Sequence, residues 1–183
     1  MKNKKTKEKR NEIQIKGLSQ REVQIISWLE FYQKYFFTSK DIKQFFKNKN
    51  TLYRSIQKLL SKKRIIKINQ NKYYLIPIKA KSGSWVEHDF ITIDEICNSG
   101  EYYIGGWSAV NYWKLTDQIP SWIDIFTTNK RGKKIILNSM MIFHQIKKID
   151  KSKYIIKKIA GHEFKVLNKR ETKKWMKLRE YLL

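Results

Sequence analysis

Residues 50–64 read NTLYRSIQKLLSKKR, and the organisation of the amino-terminal half follows from their spacing. Leu52, Ile56, Leu59 and Leu60 recur at i, i+4, i+7 and i+8, which is one face of an α-helix. The opposite face carries Asn50, Thr51, Arg54, Lys58 and Ser61, with Gln57 and Lys62 on its flanks. Asn50 or Thr51 is predicted to cap the amino end by accepting a free backbone N–H. Arg, Lys, Asn and Gln are the side chains that read base edges in a major groove, and a helix fits that groove. Taken alone, such a helix is equally an ordinary solvated amphipathic helix. Its neighbours decide between the two.

Working outward, the short link Lys47-Asn48-Lys49 precedes this helix. Before it, Thr38 or Ser39 is predicted to cap a second, short helix running through Phe46, with Ile42, Phe45 and Phe46 buried. A first helix starts at Ser19, with Glu22 as its capping-box partner, shows Val23, Ile26 and Leu29 on its apolar side and ends near Tyr35. After Arg64 the period becomes that of a strand. Residues 65–68 and 73–76 are predicted to pair as a hairpin across the turn Asn69-Gln70-Asn71-Lys72, because Asn tolerates positive φ, and Pro77 closes it. Two helices joined by a few residues, then a hairpin, describe a winged helix-turn-helix over residues 17–79. Asn50, Thr51, Arg54, Lys58 and Ser61 become the candidate DNA readers, and Lys67 and Lys72 the candidate phosphate contacts of the wing. A winged helix also serves as a protein-interaction module, which is the competing use of the same pattern.

Charge favours the nucleic acid. The chain has 183 residues, 41% of them hydrophobic, and a net charge of +24. It can bury a core, and its charge points to a polyanionic partner, most simply nucleic acid. An acidic membrane surface is the rival target, but no apolar run is long enough to span a bilayer. Residues 1–16 are a basic tail expected to be flexible; its opening, MKNKKTKEKR, lacks the apolar run of a secretory signal. Cys97 is the single cysteine, which excludes a disulfide framework within the chain and fits a reducing cytoplasm.

Residues 79–84, KAKSGS, are predicted to link to a second unit, residues 80–183, of small mixed α/β type. Within it, residues 85–98 are open between a strand and a short helix from Thr92. Residues 102–104 form an extended piece, Gly105 and Gly106 permit positive φ or close approach, and residues 107–115 a short aromatic helix. Strands are predicted at residues 122–128, 135–137, 142–146, 154–159 and 162–167. A closing helix over residues 171–183 shows Trp175, Leu178 and Leu182 on one side. The fold class expected is therefore α+β, an amino-terminal winged helix-turn-helix followed by a small mixed domain.

The run YYIGGWSAVNYWKLTDQIP (residues 102–120) followed by WIDIFTTNKR (residues 122–131) resembles the carboxy-terminal domain of AbiEi-type antitoxins of bacterial abortive-infection, or type IV toxin–antitoxin, systems. LYRSIQKLLSKKRIIKINQNKYYLIP (residues 52–77) is similar to the winged helix of that family. The resemblance covers residues 19–135, with Lys114 standing where the family usually has Gly. It implies a transcriptional repressor that binds operator DNA of its own operon. It also implies a functional pairing with a nucleotidyltransferase-like toxin, without a stable complex between the two.

Chemistry is weighed residue by residue. Nucleotidyl transfer needs paired carboxylates on one strand face to hold two metal ions. Gly105-Gly106-Trp107-Ser108 and Asp124 supply only half of that pattern, and Asp124 is expected at a strand end or facing a turn. His88, His144 and His162 lie far apart in sequence and Cys97 has no partner at ligand spacing, so no metal or cofactor is expected. No nucleophile motif and no phosphate loop is present, and no catalytic residue is assigned. Trp107, Trp113 and Trp122 are expected in the core. Residues 130–134, KRGKK, form a basic turn, and Lys130, Arg131, Lys133 and Lys134 are a candidate second phosphate patch. A sequence-specific DNA-binding antitoxin is the leading expectation. An RNA-binding accessory protein using the basic carboxy-terminal surface is the alternative.

Overall fold

The three-dimensional structure is a computed structural model that describes residues 17–80, 88–98 and 100–180. The basic tail of residues 1–16, most of the linker (residues 81–84) and Leu182 lie outside the described residues. The chain is a mixed α+β fold with two sheets.

Helix α1 (Gln20–Phe31) begins at Ser19, whose hydroxyl accepts the Glu22 N–H while the Glu22 carboxylate accepts the Ser19 N–H. Strand β1 (Phe36–Thr38) follows. The short helix expected next is reduced to a single 3₁₀ turn, Lys43–Phe45. Its backbone bonds all run from i to i−3, from Asp41 to Thr38, Lys43 to Lys40, Phe45 to Ile42 and Phe46 to Lys43, and that ladder makes turns and 3₁₀ helix. The Asp41 carboxylate accepts both the N–H and the hydroxyl of Thr38, at 2.6 and 2.7 Å, and pairs with Lys34 at 2.6 Å. Helix α2 (Lys49–Ser61) starts before the point expected, because Asn48 is the cap and accepts the Thr51 N–H at 2.9 Å. Strands β2 (Ile65–Lys67) and β3 (Lys72–Leu75) complete an antiparallel sheet of order β1-β3-β2.

Residues 88–98 resolve as one helix, α3 (Asp89–Cys97), with no strand before it among them. Strand β4 (Tyr102–Gly105) leads into helix α4 (Gly106–Tyr112). Gly106 has φ +57°, and a Cβ there would run into the Asp124 carboxylate, so both reasons for a glycine hold at once. Strands β5 (Ile123–Thr127), β6 (Gly132–Ile136), β7 (Ser139–Gln145), β8 (Tyr154–Ile159) and β9 (His162–Leu167) follow, then helix α5 (Lys169–Glu180). The larger sheet has the order β6-β7-β5-β4-β9-β8. Pairs β5/β7 and β4/β9 are parallel and the other three antiparallel. The basic turn expected at residues 130–134 is thus half strand.

Two apolar cores form, and the hairpin β2–β3 belongs to both. Ile65, Tyr73 and Leu75 pack with Ile25, Ile26 and Leu29 of α1 and Leu52, Ile56 and Leu59 of α2. Ile68 and Tyr74 pack in the second core with Phe90, Ile93 and Ile96 of α3 and with residues of the large sheet such as Tyr102, Ile104 and Phe143. The split follows the two-residue period of a strand, which sends neighbours to opposite faces. Strand β1 divides the same way: Phe37 lies against Tyr73, and Phe36 against Tyr74 at 4.9 Å between ring centroids. The small sheet is therefore an inner layer, covered by α1 and α2 on one side and by the carboxy-terminal half on the other.

The face of the large sheet opposite the second core carries a row of cross-strand rings. His144 stacks on Phe126 (4.8 Å, 21°), Phe126 on Tyr103 (5.1 Å, 9°), and Tyr154 stands beyond Tyr103 (6.4 Å, 13°). Of the tryptophans expected in the core, Trp107 and Trp122 remain more than a third exposed. Trp113 is half-buried and donates its ring N–H to the Leu167 carbonyl.

Two outcomes follow from this packing. Ile68 is fully buried at the junction, so Ile68→Ala should lower the unfolding free energy by about 3 kcal/mol. Because the cores share the hairpin, urea curves followed by tryptophan fluorescence and by far-ultraviolet circular dichroism should coincide in wild type; separate transitions for the two halves would contradict the shared core. Lys114 follows the end of α4 at φ +52°, with its N–H on the Asn111 carbonyl and the Leu115 N–H on the Val110 carbonyl. A left-handed position past a helix end favours glycine, so Lys114→Gly should stabilise the fold by about 1 kcal/mol in the same titration.

Candidate nucleic-acid interface

The exposed stripe of α2 is built by the same apolar spacing that buries Leu52, Ile56 and Leu59. Asn50, Arg54, Gln57, Lys58 and Ser61 are all exposed, as are Lys49 and Tyr53. By helical spacing Lys49 and Tyr53 form one margin of the stripe and Arg54 and Lys58 the other. Arg54 and Lys58 make no ion pair among the described residues. Thr51 is half-buried, and its hydroxyl donates to the Asn48 carbonyl at 2.9 Å, so its side chain serves the cap. The Ser61 hydroxyl donates to the Lys58 carbonyl at 2.8 Å. Lys62, on the flank of the stripe, is turned inward instead. Its ammonium pairs with the buried Glu22 at 2.5 Å and donates to the Gly17 carbonyl. Burial works against the Glu22 charge, but the Lys62 ammonium and the Ser19 groups outweigh it and hold the carboxyl below its ordinary range.

The hairpin tip is fastened to the carboxy-terminal half. Lys72 pairs with Glu95 of α3 at 2.6 Å and also donates to the Glu95 carbonyl. Asn69 accepts the N–H groups of Asn71 and Lys72 and donates its amide to Asn98. Lys134 of β6 donates to the Ile68 carbonyl. Burial lowers the Lys134 pKa, aided by the nearby charges of Lys130 and Lys67. Lys72 is thus a clasp between the halves, already engaged by a carboxylate, while Lys67, Gln70 and Asn71 remain exposed.

The four-residue basic patch is also divided. Lys133 and Lys134 are neighbours in β6, and strand alternation points them to opposite faces. Lys134 turns to the hairpin, whereas Lys130 turns to α3 and β7, its ammonium donating to the Ile96 carbonyl at 2.7 Å and standing over the Phe143 ring. Arg131 and Lys133 are exposed. A single four-cation contact is not what these residues form.

Between α2 and the hairpin tip lies an open cleft of about 850 Å³. Lys40, Lys43, Lys49 and Tyr53 line one wall, Asn71 and Lys130 the other, and among the described residues no carboxylate lines it. The sequence did mark these cations: residues 40–49 hold four lysines, Lys40, Lys43, Lys47 and Lys49. Reading only helical faces passed over them, because Lys40 and Lys43 sit on a turn.

Groups at the edge of enzyme chemistry are brought together only in part. Asp124 is the second residue of β5, near the strand end expected of it, but it is buried and its carboxylate bonds His144 at 2.7 Å rather than facing a turn. The Asp124 N–H donates to the Ser108 hydroxyl, which in turn donates to the Trp122 carbonyl. His88 caps α3 through the Phe90 N–H, and His162 is exposed at the start of β9. Among the described residues no three His, Cys, Asp or Glu side chains are placed to hold a metal ion. Burial pushes the Cys97 thiol up to about 11, which keeps it protonated at neutral pH. Among the described residues no helix is long and apolar enough to cross a membrane.

No protein-family model matches the chain, and no curated protein matches it. Among solved structures it is similar to the crystal structure of the Rv2827c protein from Mycobacterium tuberculosis, with a TM-score of 0.52 and 12% sequence identity. That likeness covers 71% of this chain and 47% of the other, so the chain spans about half the length of the structure it matches. At this identity the likeness is one of fold alone.

The clasp has a measurable consequence. Removing the Glu95 charge in Glu95→Gln should loosen the hairpin tip without unfolding either core. Amide exchange at Ile68 and Lys72 should speed up several-fold, while that of Ile56 and Leu59 in α2 stays at its wild-type rate.

Proposed function

We propose that this chain is a DNA-binding transcriptional repressor of the winged helix-turn-helix type, and that α2 is its recognition helix. The observation that carries the reading is the unpaired polar stripe of Asn50, Arg54, Gln57 and Lys58, presented beside a hairpin on a chain of charge +24. The order of elements also supports it: a helix, a strand, a short turn of helix, the α2 helix, then a hairpin whose second strand pairs with β1. Arg54 and Lys58 are the base-reading side chains, Asn50 and Gln57 stand beside them, and Lys67 is the exposed cation of the hairpin.

The sequence resemblance to AbiEi-type antitoxins extends this to a biological role. In that role the chain represses its own operon and counters a nucleotidyltransferase-like toxin without binding it stably. Its action is cytoplasmic and involves no catalysis. A gene for such a toxin beside this one is the simplest genetic support.

The test is binding to labelled duplex from its own promoter against a scrambled duplex of equal length, across a salt series. Salt matters because a chain this basic binds any DNA at low ionic strength. The promoter should be preferred near physiological salt, and Arg54→Ala should remove about 1–3 kcal/mol of that preference. Equal binding that fades together as salt rises would show charge acting alone and would move the search to RNA.

A further inference from the structure

We propose that the cleft between α2 and the hairpin tip seats one phosphodiester strand of the bound duplex, held by Lys40, Lys43 and Lys49 on one wall and by Lys130 on the other. This rests on the DNA-binding reading and adds to it that the carboxy-terminal half takes part in the contact.

The cations converge from four places in the fold: the turn after β1, the 3₁₀ turn, the start of α2 and the loop between β5 and β6. Lys40, Lys43 and Lys49 are exposed and make no ion pair among the described residues. Gathering ammonium groups in one cleft, with no lining carboxylate among the described residues, raises their mutual repulsion, which a polyanion relieves. Lys130 is held in place by its bond to the Ile96 carbonyl, which uses one of its three N–H donors. The remaining polar lining suits phosphate oxygens: the Ser39 hydroxyl, the Asn71 amide and Tyr53, which is 52% exposed.

Position supports the same ligand. Lys49 and Tyr53 form the cleft-side margin of the α2 stripe, so a groove read by Asn50 and Arg54 would lay its flanking backbone in the cleft. The far wall does not swing freely, because Asn69 and Lys72 are tied to Asn98 and Glu95.

The experiment measures affinity against salt concentration for the full chain on promoter duplex, scrambled duplex and a single-stranded RNA. The variants are Lys130→Ala, Lys43→Ala and, as a control, Lys157→Ala on β8 at the far edge of the large sheet. Removing one lysine–phosphate pairing shallows the log–log slope by about 0.9. Lys130→Ala and Lys43→Ala should each do so and weaken both duplexes alike, with promoter preference retained and thermal unfolding of Lys43→Ala unchanged. Lys157→Ala should match wild type. Wild-type slopes for both cleft variants, with promoter preference intact, would overturn the cleft and leave the recognition helix standing. Slope changes on RNA alone would overturn the cleft's assignment to duplex and the DNA reading with it.

Discussion

A hairpin buried on both faces is the constraint from which the rest of the structure follows. Ile65, Tyr73 and Leu75 complete the core beneath α1 and α2, while Ile68 and Tyr74 complete the core beneath α3. Each fully buried side chain of this size contributes roughly 1.5–3 kcal/mol. Neither half closes its core without the strands between them. The polar clasp of Lys72, Asn69 and Lys134 adds little energy by comparison, since partly exposed ion pairs are weak. Its effect is to fix register and direction at the tip.

That arrangement reshapes the electrostatics. Forty lysines and arginines stand against sixteen carboxylates, and several of those carboxylates are already engaged inside the fold. Glu22 holds Lys62, Asp41 holds Lys34 and Glu95 holds Lys72. Among the described residues, cations without such a partner stand on α2, in the cleft beside it, on the outer strands and along α5. The internal pairs thus sort the lysines into structural ones and ones available to a partner, a distinction that net charge does not contain.

Much of this was legible from residues alone, and the failures have physical causes. The helical period of Leu52, Ile56 and Leu59 placed the start of α2 within a residue and its end three residues too late, and the Ser19–Glu22 capping box placed the start of α1. Strands β8 and β9 were read with their observed bounds, because Gly161 separates two clean runs. The second short helix was overread, because the spacing of Ile42, Phe45 and Phe46 is met equally by turns and a single 3₁₀ turn, Lys43–Phe45. Treating the hairpin as a free wing overlooked a signal that was present. Ile65-Ile66 and Tyr73-Tyr74-Leu75-Ile76 are continuous apolar runs, whereas a half-exposed hairpin alternates. Lys72 was counted as a phosphate contact for want of its partner Glu95, which is near only in space. The pairing of Asp124 with His144 was likewise invisible, since it depends on the parallel register of β5 with β7.

The ring row on the open sheet face gives the molecule an internal optical reporter. Tyr103 lies in β4 and Tyr154 in β8, strands separated by β9, yet their planes lie within 13° of parallel. Aromatic rings held rigidly in an asymmetric environment give near-ultraviolet circular dichroism, and that signal vanishes when packing loosens even if strands persist. The row contributes to that band together with the buried Tyr73, Tyr74 and Tyr102, so the band reports the packing of both cores and of the sheet at once. It distinguishes a finished sheet from a collapsed one without any label being attached.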